Sequence, residues 1–102
     1  MASLHVAFCN LGAVAYGGTV RVIDGESVTS EVITTSGTNA QSAASPAGKP
    51  FVRIATDAAA HYVAFGSNPN AQTGTTARYY IPAATVEYFQ LDVGNKVAAV
   101  TA

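Results

Sequence analysis

Few side chains in this chain could carry out acid–base or nucleophilic chemistry. His5 and His61 are its two histidines, and Cys9 is its single cysteine. Asp57 precedes His61 by four residues and could orient its ring, but the sequence places no serine or cysteine to complete a triad. Each histidine lies in a β-prone run, which indicates a side chain that faces outwards or is satisfied by a backbone carbonyl. We therefore expect no enzymatic activity, with Cys9 acting as a small buried hydrophobic residue.

The spacing of the polar residues does not indicate a metal or cofactor site either. One cysteine and two histidines separated by 56 residues do not give the paired spacings of a structural zinc site. Asp24 and Glu26 flank Gly25 and suggest a cation site only weakly, because a hairpin turn explains them. The stretch YGGT at 16–19 has glycines but neither a lysine nor a following helix, so it does not match a phosphate-binding loop. We expect no bound metal and no cofactor.

The composition favours a protein that works within an assembly. Of the 102 residues, 49% are apolar and 11% are charged, against about 25% charged in a typical soluble domain. The five basic residues are scattered, which argues against nucleic acid as a partner. The start of the chain lacks the basic region of a signal peptide, and no apolar span is long enough for a membrane helix. We expect residues 1–102 to form one domain that associates with copies of itself or with a larger partner.

The elements that would position these residues are predicted to be strands. β-prone runs occupy residues 3–8, 19–23, 27–35, 50–56, 61–66, 77–82, 86–91 and 96–100. Separated by turn residues, they predict an all-β fold, an antiparallel β-sandwich or jelly roll of about eight strands. The two-residue alternation of side chains directs Val52 and Ile54 towards the core, and it favours Phe89 and Leu91 on the inner side of their strand.

Residues 36–50, SGTNAQSAASPAGKP, differ from the predicted strands because they are small and polar and lack an apolar period. This pattern predicts a flexible loop or arm, either disordered on the surface or ordered against a neighbouring subunit. Deletion of residues 37–48 is then expected to leave the fold intact and to weaken association. The runs TVRVI (19–23) and KVAAV (96–100) are the barest candidates for unprotected sheet edges.

The tyrosines are the best candidates for contact with a partner. Tyr79 and Tyr80 are adjacent, so they point to opposite faces of one strand. Exposed aromatic rings can stack on carbohydrate, but in strands they more often pack in the core or at a subunit contact. We predict an interface that includes Tyr16, Tyr62, Tyr79, Tyr80 and Tyr88, and we keep carbohydrate binding as an alternative.

The second half of the chain carries an ordered set of structural motifs. They are FVRIAT at 51–56, GSNPNA at 66–71, YYIPAATVEYFQL at 79–91 and VGNKVAAV at 93–100. Together they resemble a family of small all-β proteins encoded among the virion structural genes of tailed bacteriophages. The residues that carry the likeness are Arg53, Ile54, the turn at 66–71, Ile81, Pro82, the strand around Glu87 to Phe89, and the return from Gly94 to Val97.

The resemblance implies a structural place in the virion, for a protein made in the host cytoplasm. Foremost is a capsid decoration or cement protein that stabilises the head by contacts with the major capsid protein or other virion proteins. A component of the tail or of the head–tail connector, or a carbohydrate-binding tail module, are the alternatives. These motifs consist of strand and turn residues, so the resemblance transfers no functional residues.

Overall fold

The computed structural model describes the backbone of residues 2–13, 19–23, 25–72 and 77–102, and within these ranges the chain is all-β with no helix. Its ten strands are β1 (Ala2–Cys9), β2 (Leu11–Ala13), β3 (Thr19–Ile23), β4 (Thr29–Thr35), β5 (Ala40–Gln41), β6 (Phe51–Thr56), β7 (His61–Gly66), β8 (Tyr79–Ile81), β9 (Val86–Gln90) and β10 (Lys96–Thr101). All eight predicted runs form strands. The short strands β2 and β5 are additional.

Eight of the strands form two four-stranded sheets. The first sheet has the order β4-β1-β6-β9 and the second has the order β5-β10-β7-β8, while β2 and β3 form a separate pair. All neighbouring strands are antiparallel. The predicted antiparallel β-sandwich is therefore confirmed.

The strand order is that of a permuted jelly roll. A jelly roll has two sheets with the strand orders B-I-D-G and C-H-E-F. If β4 to β10 are read in chain order as strands B to H, and β1 is read as strand I, both observed orders follow. The strand that comes last in an ordinary jelly roll thus precedes the other seven among the described strands.

The core lies between the two sheets because alternate side chains of each strand point towards the facing sheet. Its buried members are Leu4, Val6, Phe8, Ile33, Val52, Ile54, Val63, Ile81, Leu91, Val97 and Ala99. Val52 and Ile54 are buried as predicted, and Phe89 packs against this cluster beside Leu91. Full burial of one Val, Leu, Ile or Phe side chain stabilises a fold by about 1.5–3 kcal/mol, so these residues are its main source of stability.

The prediction of a loop or arm for residues 36–50 is wrong for part of that segment. Residues 40 and 41 form β5, which pairs with β10. The N–H of Ser42 then donates to the Val97 carbonyl at 2.7 Å, and the N–H of Ser45 donates to the Asn95 carbonyl at 2.8 Å. Polar side chains and backbone bonds hold this segment, so it needs no apolar period. Deletion of 37–48 would remove an edge strand, and it is now expected to damage the fold.

One of the two expected sheet edges needs correction. The run KVAAV belongs to β10, which is a central strand between β5 and β7. The run TVRVI forms β3, which pairs with β2 in a separate two-stranded sheet and so lies at an edge among the described strands. The edges of the two main sheets are β4 and β9 in the first sheet and β5 and β8 in the second.

Candidate protein-docking surface

His61 is fully buried in β7, and both of its ring nitrogens are used inside the protein. Nδ1 lies 3.0 Å from the carbonyl oxygen of Ala59, and since a carbonyl can only accept, Nδ1 donates. Nε2 lies 2.6 Å from Oγ1 of Thr35 and, in the neutral ring, accepts its hydroxyl proton. The prediction of a histidine satisfied by a backbone carbonyl is confirmed. Its ring has no nitrogen left for a substrate.

Asp57 does not orient His61, because its carboxylate is engaged elsewhere. It accepts hydrogen bonds from the N–H of Ala59 at 3.2 Å and from the N–H and the hydroxyl of Ser3, both at 3.0 Å. These bonds, with that from Ala59 the strongest influence, lower the pKa of Asp57 below its ordinary value. Asp57 therefore ties the turn after β6 to the start of β1.

Cys9 and His5 both lie on β1 and differ in exposure. Cys9 is buried, and its thiol donates a weak hydrogen bond to the carbonyl of Phe51 at 3.6 Å. Burial raises the pKa of the Cys9 thiol, which disfavours the reactive thiolate. His5 is exposed on the outer side of its strand. Both placements agree with the sequence predictions.

Among the described residues, no three His, Cys, Asp or Glu side chains come together in a group that could hold a metal ion. Asp24, one of the two acids weakly suggestive of a cation site, lies outside the described residues, and so does Tyr16. Nor does any described helix have the length and apolar character needed to cross a membrane.

The outward side of the second sheet is covered by the chain itself. Ala64 of β7 is 4% exposed, and Ala98 and Val100 of β10 are 0% and 2% exposed. They pack with Ala71, which belongs to the connection between β7 and β8 and is fully buried. The small side chains of the two central strands allow this connection to approach the sheet closely. We refer to this surface, with the half-buried Tyr62, as the covered face.

A set of hydrogen bonds fixes the connection on the covered face. The Asn39 side chain accepts from the N–H of Ala71 at 2.8 Å and donates to the Pro69 carbonyl at 3.2 Å. In the other direction, the Gln72 side chain accepts from the N–H of Asn39 at 2.9 Å and donates to the Gly37 carbonyl at 2.7 Å. The polar residues before β5 therefore clamp the connection after β7.

The outward side of the first sheet has a different character, since large apolar residues are exposed on it. Strand register places its outward residues in rows across the sheet. The rows are Val32, His5, Ala55 and Val86, and next to them Ser30, Ala7, Arg53 and Tyr88. Val32 is 57% exposed, Val86 44% and Tyr88 56%. We refer to these two rows as the open face.

The open face combines exposed apolar side chains with the polar residues His5 and Ser30, and its one arginine or lysine is Arg53. The other outward positions of its four strands include no carboxylate, although the chain has six acids and a net charge of -1. Arg53 lies beside Tyr88 as its cross-strand partner. A complementary partner would present an apolar surface with a carboxylate opposite this guanidinium.

The structure does not bring the tyrosines named from the sequence together on one surface. Tyr62 lies on the covered face, where the Arg78 guanidinium sits 3.8 Å from the centre of its ring. Tyr80, 49% exposed, meets the edge of Tyr62 at 5.3 Å between ring centres. Tyr79, 52% exposed, instead meets Phe89 at 5.2 Å, near the junction of the two sheets. Of the four named tyrosines that the structure describes, Tyr88 is the one on the open face.

Sequence reasoning did not identify Val32 as a surface residue, whereas the inward assignment of Phe89 and Leu91 already placed Val86 on the outer side of its strand. Val32 is β-branched and occurs in a strand, so its type predicts burial. The available signal is that Val32 directly precedes Ile33. Since adjacent strand residues face opposite ways, two neighbouring large apolar residues mean that each face of β4 carries one large apolar side chain.

Comparison with known proteins gives no match, whether with family models, with curated proteins or with solved structures. The likeness to virion proteins of tailed bacteriophages therefore depends on the motifs of the second half alone.

Proposed function

We propose that this chain is a non-enzymatic structural protein of a tailed-bacteriophage virion, foremost a capsid decoration or cement protein. In this proposal it docks on the major capsid protein through the open face and stabilises the head by protein–protein contacts. The chain acts as a homo-oligomer located in the virion, with no nucleic acid or membrane as partner. A position in the tail or in the head–tail connector would use the same surface on a different virion protein.

The observation that carries the proposal is the exposure of Val32, Val86 and Tyr88 on one face of one sheet. Large apolar side chains exposed on one face of a sheet are a common feature of protein contact sites. Tyr88, on the edge strand β9, is the exposed aromatic residue of this face, and tyrosine is enriched at binding hot spots. The low charge of the chain and the resemblance of its second half to small virion proteins support a permanent place in a large shell.

The fold class is compatible with this role without deciding it. Jelly rolls occur in viral capsid domains and also in lectins, and one fold serves many functions. The carbohydrate-binding alternative depends on Tyr79 and Tyr80. They contact different surfaces, Phe89 for Tyr79 and Tyr62 for Tyr80, so they do not form one flat platform for a sugar. The geometry thus favours protein docking.

The proposal can be tested by measuring binding to purified heads of the phage that encodes the chain. Tyr88→Ala should weaken binding by about tenfold or more, since it removes the exposed aromatic ring of the open face. Tyr80→Ala is the matched control, with the same substitution at similar exposure on β8, and should bind like the wild type. Circular dichroism would check that both variants keep the fold.

Two results would contradict the proposal. The first is equal head binding by wild type and Tyr88→Ala. The second is retention of the protein on immobilised host polysaccharide that is lost in Tyr79→Ala or Tyr80→Ala, which would establish the carbohydrate-binding module instead.

A further inference from the structure

Strand β4 is an edge strand that lacks most of the features that usually protect an edge, with the inward-facing Glu31 as its one charged residue. Within the described residues it pairs only with β1, so the other side of its backbone is left for another strand. It is seven residues long, TSEVITT, and contains neither lysine nor proline. Its seven residue pairs with β1 run in continuous register, with no bulge to twist the edge away. A long, regular edge of this kind is a template for pairing with another chain.

The other edges of the two sheets are shorter. β5 has two residues, β8 has three and β9 has five. Short strands are one of the ways in which natural proteins avoid association through an edge. Among the described edges of the main sheets, β4 therefore offers the longest unprotected backbone.

The single charge on β4 is turned towards its own chain. The carboxylate of Glu31 accepts a hydrogen bond from the N–H of Ala43 at 3.0 Å. This contact lies on the side of β4 that faces the second sheet, since Glu31 shares its orientation with the buried Ile33. On the open-face side, β4 presents Ser30, Val32 and Thr34, none of which is charged.

We propose that two copies of this chain pair antiparallel through β4, with the two-fold axis at Val32, to form a dimer with one continuous eight-stranded sheet. The inference rests on the proposed function in one respect, because it identifies the self-contact of the homo-oligomer proposed above. The strand that pairs with this edge is β4 of a second copy, because β4 is complementary to itself when Val32 lies on the two-fold axis.

The register follows from the cross-strand pairs. An axis at Val32, the midpoint of the strand, pairs all seven residues of β4, with Ser30 opposite Thr34 of the second copy and Val32 opposite itself. Hydroxyl pairs and β-branched pairs of this kind stabilise antiparallel strands. An axis at Glu31 would place two like charges directly opposite each other, which is destabilising. An axis at Ile33 would leave residues 29 and 30 without a partner in the strand.

The dimer would join the two open faces. The row that contains Val32, His5, Ala55 and Val86 would continue into the same row of the second copy. With strands about 4.8 Å apart, the combined row extends about 34 Å across eight strands. One dimer would then present a doubled apolar surface to the capsid.

Sedimentation equilibrium tests the dimer directly, and it needs no capsids. The wild type should have about twice the chain mass of 10.4 kDa in the high micromolar range. Val32→Lys should be monomeric, because it places two ammonium groups opposite each other at the axis. Val86→Lys is the matched control, with the same change in the same row on the far edge, and it should remain dimeric. A monomeric wild type, or a dimeric Val32→Lys variant, would overturn the proposal.

Disulfide formation tests the register. In Val32→Cys the two introduced thiols lie opposite each other, with Cα atoms about 4.5–5.5 Å apart, which a disulfide can span. In Thr34→Cys they lie on either side of the axis, about 13 Å apart along the strands. The native Cys9 is buried and should not compete. Mild oxidation should link Val32→Cys into covalent dimers and leave Thr34→Cys unlinked, and equal linking would overturn the register.

The dimer and the virion role can be refuted independently. If the protein dimerises but does not bind phage heads, the β4 dimer is supported and the virion role is refuted. If it binds heads as a monomer through Tyr88, the virion role is supported and the β4 dimer is refuted.

Discussion

The outer faces of the two sheets differ in their exposure to solvent. On the second sheet, Ala64, Ala98 and Val100 lie beneath the connection between β7 and β8 and are shielded from water. On the first sheet, Val32 and Tyr88 are more than half exposed. Apolar content alone therefore does not decide which face is covered. What decides it is whether another segment can reach the face and satisfy its own backbone there.

The covered face meets that requirement through small side chains and a polar clamp. Alanine at positions 64 and 98 leaves room for Ala71 to pack closely. Asn39 then accepts a hydrogen bond from the N–H of Ala71 and, together with the Gln41 side chain, donates to the Pro69 carbonyl of the covering segment. The open face has larger residues and no covering segment among the described residues, which is the arrangement expected of a surface completed by a partner.

The largest difference between the two faces is expected from the same substitution made on each of them. Val100→Lys buries an unpaired ammonium on the covered face and should destabilise the protein by about 3 kcal/mol or more. Val86→Lys puts the same group on the open face in contact with water and should change stability by about 0.5 kcal/mol or less. Urea denaturation of the two variants and the wild type measures both effects. Equal destabilisation by the two variants would show that the faces do not differ as described.

A smaller effect is expected from removal of the clamp. Asn39→Ala loses the bonds to Ala71 and Pro69 and leaves both backbone groups without that partner. We expect a loss of about 1–3 kcal/mol in the free energy of unfolding. Faster hydrogen exchange at the amide of Ala71 should accompany it.

The control for the clamp is Asn68→Ala, which removes one exposed hydrogen bond from the Gln41 side chain. It should cost about 0.5 kcal/mol or less. If Asn39→Ala were no more destabilising than this control, the connection would be held by apolar packing alone.

The strands and the core were predictable from local pattern. Alternation in FVRIAT separates the buried Val52 and Ile54 from Arg53, and this assignment depends only on the two-residue repeat of a strand. Even the central position of β10 had a signal in its sequence. Residues 97–100, VAAV, form a continuous apolar run, which is typical of a strand buried on both faces.

The pairing of distant segments was not predictable in the same way. β5 is held by the hydrogen bonds of Ser42 and Asn39, and such bonds leave no periodic trace in a sequence. The open face was equally hidden, because Val32 beside Ile33 gives the same local pattern as Ala98 beside Val97. Only the tertiary structure shows that one of these outward residues is covered and the other is exposed.

The most direct test of the open face as a docking surface is hydroxyl-radical footprinting of the protein, free and bound to purified phage heads. Tyr88 and Tyr80 have similar exposure in the free chain, so their labelling rates can be compared within one sample. If the open face is the docking surface, binding should strongly reduce the labelling of Tyr88 and leave the labelling of Tyr80 unchanged. Unchanged labelling of Tyr88 in the bound protein, or protection of Tyr80 in its place, would contradict it.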